Sequence, residues 1–158
     1  AEVKLFDELV KANRLGEKTG AGFYIYAASD VEPLESIVQR LQEAGEVETG
    51  TSFSTDRVMM PFFNEAALCA QENIANVNDI DMACIAGIGM QVNQDGDLVR
   101  MGPLEYLDQV GLDVILEKLE DLEEEFGSRF RPADILSQKV RAGNLGKKTG
   151  YGFKEYTV

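Results

Sequence analysis

The chain has 158 residues, 44% of them hydrophobic, which suffices for one domain with a real core and leaves little for a second. Its 28 acidic residues outnumber 15 basic ones, a formal charge of −13 that disfavours nonspecific nucleic-acid binding, because that needs basic surface against phosphates. There is no histidine, so His-based triads and the commonest metal ligand are both excluded. Cys69 and Cys84 alone cannot make a standard zinc site, and no metal is expected. Both cysteines fall in apolar helical patterns, which points to buried free thiols in a reducing, cytoplasmic setting. No apolar run approaches the roughly 20 residues of a membrane span, and no signal-peptide pattern opens the chain.

In chain order, residues 3–14 read as a short helix with Leu5, Phe6, Leu9 and Val10 on one face. A glycine-rich stretch follows, then a brief extended piece at 24–26 and a connector at 27–32. Pro33 opens a second helix carrying Leu34, Ile37, Val38, Leu41 and Ala44, and Gly45 is placed to stop it. The polar segment 46–55 reads as a loop that caps the next helix. That helix, about 55–73, is apolar nearly all round, which predicts burial; Pro61 should kink it or mark its true start. Asn76 or Asn78 is placed to cap a following helix with Ile80, Ala83 and Cys84, ended by Gly87 and Gly89. Residues 91–100 are polar around Asp95-Gly96, a turn dipeptide suited to a small hairpin. Pro103 opens a helix to about Val110. Leu112, Ile115, Leu116, Leu119, Leu122 and Phe126 then form an amphipathic stripe whose acidic reverse face (Glu117, Glu120, Asp121, Glu123, Glu124, Glu125) reads as solvated. Pro132 opens the last helix. The sum is an all-α chain of about six helices with almost no sheet.

One stretch occurs twice. Val10 to Tyr26 set against Val140 to Tyr156, an offset of 130, gives identity at 10 of 17 positions: Val10, Ala12, Leu15, Gly16, Lys18, Thr19, Gly20, Gly22, Phe23 and Tyr26. Unrelated segments of ordinary composition share about one, so this is an internal repeat. Glycines give each copy a tight loop, and aromatics pin it to a core. The expected organisation is a tail of a first helical copy at 1–26, a linker with a connecting helix at 27–54, and a second copy at 55–158, cut from a longer protein.

Local motifs for catalysis fail. Gly-x-Gly occurs at Gly20, Gly87 and Gly150, but no third fingerprint glycine and no preceding strand follows the dinucleotide pattern. Gly146-Lys147-Lys148-Thr149 lacks the order and upstream glycine of a phosphate loop, where Arg141 stands instead. Asn93, Asp95 and Asp97 lack the glycine and terminal glutamate of a calcium loop.

The order of larger motifs is more specific. Arg57-Val58-Met59-Met60-Pro61-Phe62-Phe63-Asn64-Glu65-Ala66 resembles the opening helix of the C-terminal domain of 3-hydroxyacyl-CoA dehydrogenases. Asp79-Ile80-Asp81-x-Ala83, Gly87-x-Gly89, Met101-Gly102-Pro103-Leu104, Leu107-Asp108-x-Val110-Gly111-Leu112-Asp113 and Gly-x-Lys-Thr-Gly-x-Gly-Phe follow in that family's order. The resemblance implies the all-helical fold shared with the C-terminal domain of 6-phosphogluconate dehydrogenase. It also implies tandem copies, as in multifunctional fatty-acid β-oxidation enzymes, behind a Rossmann domain that binds NAD and holds the catalytic pair. NAD and acyl-CoA are thus expected in the full-length enzyme and no cofactor in this part, with a homodimer as a possible partner state.

Position 56 is where the resemblance places the family's active-site asparagine, and here it is Asp56. A carboxylate cannot donate the amide hydrogen bond that would steady an oxyanion, so helix capping or first-turn dipole compensation is the expected role. Asn64 and Glu65 match the family pattern; as residues of an apolar helix they are expected in a buried polar network, with substrate binding the alternative. Lys18 and Lys148 are candidates for a CoA phosphate, against the plainer reading of exposed loop lysines. No catalytic constellation stands in the chain itself. A non-catalytic helical scaffold or dimerisation module is the rival expectation.

Overall fold

A computed structural model describes residues 4–27, 30–47 and 53–157, so residue 3 of the first expected helix and parts of the 27–32 connector and 46–55 loop lie outside the described residues. The chain divides into two units, residues 1–53 and residues 54–158.

The first unit holds α1 (Lys4–Lys11), a glycine loop, and α2 (Leu34–Glu43). Leu9 of α1 meets Ile37 and Leu41 of α2, all buried, with Leu5, Ala12, Leu34 and Val47 packed around them. This is a small core. Phe6, Val10, Phe23, Tyr24, Ile25 and Tyr26 remain exposed beside it.

The second unit contains α3 (Thr55–Gln71), α4 (Val77–Ile88), a hairpin of β1 (Gln91–Gln94) and β2 (Asp97–Arg100), α5 (Pro103–Val110), α6 (Leu112–Phe126) and α7 (Asp134–Arg141). Among the described residues there are thus seven α-helices in all and one two-stranded antiparallel sheet. The core of this unit is contributed by α3 through α7, with Phe63, Leu104, Leu107, Ile115, Leu119 and Leu136 among its buried side chains. The α6 stripe is buried at every Leu112/Ile115/Leu119/Leu122 position, as its spacing requires, while Glu117, Glu120 and Asp121 face solvent.

Local chemistry sets the boundaries. Asn76 caps α4 by accepting a hydrogen bond from the Asp79 N–H at 2.9 Å, and Gly89 closes it at φ 66°. Gly87 does not end α4 but lies within it. Asp95 and Gly96 take φ of 54° and 97°, the two positive values that a tight turn matching strand twist demands. Gln91 therefore pairs with Arg100 and Val92 with Val99.

Three expectations are corrected. Helix α3 is not buried all round: Val58 is 60% exposed and Glu65 is exposed, while Met60, Phe63, Asn64, Ala66 and Ala67 are buried, so the helix has one inward face. Pro61 does not mark its start, because α3 runs from Thr55 straight through it. The cost of the missing N–H is one intrahelical bond near the first turns. Cys69 and Cys84 are free, as expected, but only half-buried; burial is still the main reason the Cys84 thiol is pushed above its ordinary range.

The apolar cleft and the buried carboxylates

The N-terminal half of α3, the end of α4, strand β1 and Tyr106 of α5 enclose an apolar cleft of about 650 Å³. Met59, Met60, Phe62, Phe63, Ile88, Met90, Val92 and Tyr106 form its walls. The Phe63 and Tyr106 rings stack against each other in its wall, with centroids 4.6 Å apart and planes within 19°. Polar groups reach it from Thr55, Asp56, Gln91 and Asn93. A cavity of this size, with apolar walls and a few polar groups, is the usual form of a small-molecule site.

Asp56 lies at this cleft, but its carboxylate is engaged: Lys118 Nζ donates to Oδ2 at 2.8 Å. It does not cap α3. Ser54 does, its hydroxyl accepting from the Arg57 N–H at 3.2 Å, and Asp56 stands in the first turn, where a negative charge complements the helix dipole. Asp56 presents no amide N–H, so it offers no donor to a developing oxyanion.

Asn64 and Glu65 line a different hollow, with Gln71, Ser128 and Arg131. Asn64 is buried; its Nδ2 donates to the Arg131 carbonyl and its Oδ1 accepts from the Ala133 N–H, both at 2.8 Å. Those bonds clip α3 to the chain entering α7. Glu65 lies outside that network because one helical step turns it from the inward face to solvent. Lys148 grips Asp113 at 2.5 and 2.7 Å, an ion pair that holds the Asp113 carboxyl below its usual range.

Two carboxylates that periodicity did not single out are the most deeply engaged polar groups of the second unit. Asp108 is fully buried and accepts from the Phe153 N–H at 2.8 Å, the Lys154 N–H at 2.9 Å and the Tyr156 hydroxyl at 3.0 Å. It thereby anchors the second glycine loop on α5. Gly152 is glycine for this reason, since a Cβ there would collide with the Asp108 carboxylate. Asp81, 3% exposed, accepts from the Leu104 N–H at 2.8 Å and pairs with Lys154 Nζ at 2.7 Å. Lys154 also reaches Glu105 at 2.9 Å. Burial alone would lower the Lys154 pKa, but these two carboxylates outweigh it and the net shift is upward. Burial, then the Asp108 charge, push the Tyr156 hydroxyl well above its ordinary range. The signal that could have found both aspartates is their place in the Leu107-Asp108 and Ile80-Asp81 pairs, where an acid directly follows an apolar residue of the core.

At two of the three Gly-x-Gly sites the described residues do not fit a dinucleotide. The Phe153 and Lys154 N–H groups at the second Gly-x-Gly are held by an anion of the protein itself, Asp108. Gly87 lies inside α4 rather than in a turn before a helix. Among the described residues no group of three or more acidic or cysteine side chains could hold a metal ion. No helix among them is long and apolar enough to cross a membrane.

Comparison with known proteins agrees with this helical lobe. Residues 53–156 match the family model of the 3-hydroxyacyl-CoA dehydrogenase C-terminal domain. The chain is 36% identical over 146 residues to the fatty acid oxidation complex subunit alpha of Vibrio cholerae, covering 91% of this chain and 19% of the relative. It is 38% identical over 114 residues to a probable 3-hydroxybutyryl-CoA dehydrogenase of Bacillus subtilis, covering 72% of this chain and 37% of the relative. Among solved structures, (S)-3-hydroxybutyryl-CoA dehydrogenase from Ralstonia eutropha superposes with a TM-score of 0.61 at 28% identity, over 84% of this chain and 46% of that one. The chain thus spans only a fraction of the length of each relative. With a family match over most of its length and a lobe of the same fold, the chain belongs to the 3-hydroxyacyl-CoA dehydrogenase family, as a C-terminal domain part.

Proposed function

We propose that the chain serves in an NAD-linked 3-hydroxyacyl-CoA dehydrogenase of fatty-acid β-oxidation, a cytoplasmic enzyme, where it lines the acyl-CoA cleft without performing the redox step. Residues 1–26 are then the tail of a first copy of the domain, 27–54 a linker with its helix, and 55–158 a second copy. In the whole enzyme a Rossmann domain would hold NAD, and hydride would leave the carbon bearing the 3-hydroxyl group of the substrate.

The observation that carries this reading is the apolar cleft beside Asp56. Its walls of methionine and aromatic side chains suit an acyl chain, because thioethers and rings adapt to a flexible aliphatic ligand. The carboxylate of Asp56, tied to Lys118, supplies no oxyanion donor, which separates binding from catalysis. The role left to this lobe is to present an apolar wall.

Calorimetric titration with a medium-chain acyl-CoA tests it. Saturable binding is expected, weakened about tenfold or more, over 1.4 kcal/mol, by Phe62→Asp, which places a charge at a half-buried wall position. Turnover of NADH with acetoacetyl-CoA by this chain alone would overturn the division of roles.

A second reading, a dimerisation surface, is favoured by the exposed apolar side chains Val58, Met82 and Ile88 on α3 and α4, 60% to 69% exposed. Light scattering separates the two: a tight dimer indifferent to CoA esters supports scaffolding.

A further inference from the structure

The two glycine loops have the same backbone and different surroundings. Gly16 and Gly146 take φ of 99° and 97°, and Gly20 and Gly150 take 77° and 76°. The bridges Gly16–Ala21 and Ala21–Ile25 recur as Gly146–Tyr151 and Tyr151–Glu155. Helix α1, at residues 4–11, stands at the same offset of 130 from α7, at 134–141.

What differs is the other side of each loop. The second loop is filled by the end of α5 and the start of α6. Asp108 takes the Phe153 and Lys154 N–H groups and the Tyr156 hydroxyl, Asp113 takes Lys148, and the Leu145 carbonyl accepts from the Leu112 N–H at 3.1 Å. The first loop keeps the matching groups: the N–H of Phe23 and Tyr24, the Tyr26 hydroxyl, Lys18 and the Leu15 carbonyl. Among the described residues none of these five makes such a bond. They surround a hollow of about 430 Å³ whose apolar rim includes Phe6, Val10 and Phe23. Phe6 is 53% exposed, whereas Leu136, 130 positions later, is fully buried.

We propose that this hollow is a socket for a helix end of the form found at residues 104–113: an apolar turn, an aspartate, a glycine three residues on, and a second aspartate two beyond that. The partner is supplied by another copy of the domain in the same polypeptide. Its first carboxylate accepts from the Phe23 and Tyr24 N–H groups and the Tyr26 hydroxyl; its second pairs with Lys18. The glycine is favoured because Gly111 of the second copy takes φ 109°, a backbone conformation that residues with a Cβ rarely adopt. This rests on reading residues 4–26 as the tail of another copy, and not on any substrate assignment.

The test grafts the chain's own residues 101–114 ahead of Lys4 through a flexible linker of about 20 Gly/Ser residues, which spans roughly 25 Å and holds the graft at millimolar effective concentration. Amide exchange followed by NMR should slow at least tenfold at Phe23 and Tyr24 and stay unchanged at Phe153 and Lys154. Asp108→Asn within the graft should remove most of that protection. Unchanged exchange at Phe23 and Tyr24 overturns the proposal. So does protection in the ungrafted chain that grows with protein concentration, which makes a second molecule the occupant, or equal protection by inorganic phosphate, which makes the loop an anion site. Acyl-CoA binding at the other cleft moves none of these amides, so the failure of either reading is visible separately.

Discussion

The loop at residues 15–26 and the loop at residues 145–156 share sequence and shape, yet one is finished and the other is not. Both satisfy the inner carbonyl, by different means. At Gly152 it accepts from Lys139 Nζ at 2.8 Å, and at Gly22 it accepts from Arg14 Nε at 2.8 Å. Both use the threonine hydroxyl to bind the residue that precedes the first glycine: Leu15 N–H donates to Thr19 at 3.0 Å and Leu145 N–H to Thr149 at 2.9 Å. The internal bonds alone therefore fix the loop's conformation. The aspartate of α5 adds something else, namely a tie to the core, which the first loop lacks among the described residues. Local sequence specifies the shape of this loop; tertiary contact specifies its stability.

The sharpest way to break the comparison is to remove that tie. Asp108→Ala strands two N–H groups and one hydroxyl in a buried place, which should cost the second unit about 4 kcal/mol, read as a fall in the denaturation midpoint. No change would show that the loop holds itself in place there too. The next effect is apolar. Leu136→Ala empties a fully buried position and should cost about 3 kcal/mol, while Phe6→Ala at the equivalent exposed position should cost less than about 1 kcal/mol in the same assay. Equal costs would mean that Phe6 is as well packed as Leu136.

A pH titration gives a smaller signal to which the second loop contributes through Tyr156 and Lys154. Tyr156 and Lys154 both have raised folded pKa values, so the stability they contribute is full below their ordinary values of 10.0 and 10.5 and is lost as pH rises beyond them. Lys139, lowered chiefly by burial, works in the opposite sense and offsets part of the loss. Thermal scans should therefore show the wild type weakening above about pH 10, and Tyr156→Phe weakening less. The smallest effect is at the rim of the cleft: Asp56→Asn removes an ion pair that is about two-fifths exposed and should change stability by less than about 1 kcal/mol, with no gain of dehydrogenase activity.

Much of this was legible in the sequence for identifiable reasons. The α6 stripe, the Asn76 cap and the turn at Asp95-Gly96 are local signals, carried by residues of one element, and the repeat is visible by setting the sequence against itself. Asp81, Asp108 and Tyr106 were not singled out, because what makes them important lies far along the chain: Asp108 is 45 residues from the Phe153 N–H it accepts from. Glu65 was misplaced because an apolar composition was read as burial on every side, whereas α3 keeps an outward strip. Of the two roles open to Asp56, capping falls to Ser54, at the end of the polar loop, and first-turn dipole compensation to Asp56 itself. The Asn64 clip needed both Arg131 and Ala133, and no pattern within α3 could announce them.

The hairpin at 91–100 has a further consequence. Strand β2 is exposed throughout, and only alternate residues of β1 touch the body of the lobe, yet Gln91, Val92 and Asn93 border the cleft. A ribbon attached in this way is an adjustable sill: lengthening it or changing its inward residues would reshape the mouth while leaving the helical packing beneath untouched. The width of the cleft mouth and the stability of the helical lobe are therefore set by separate residues.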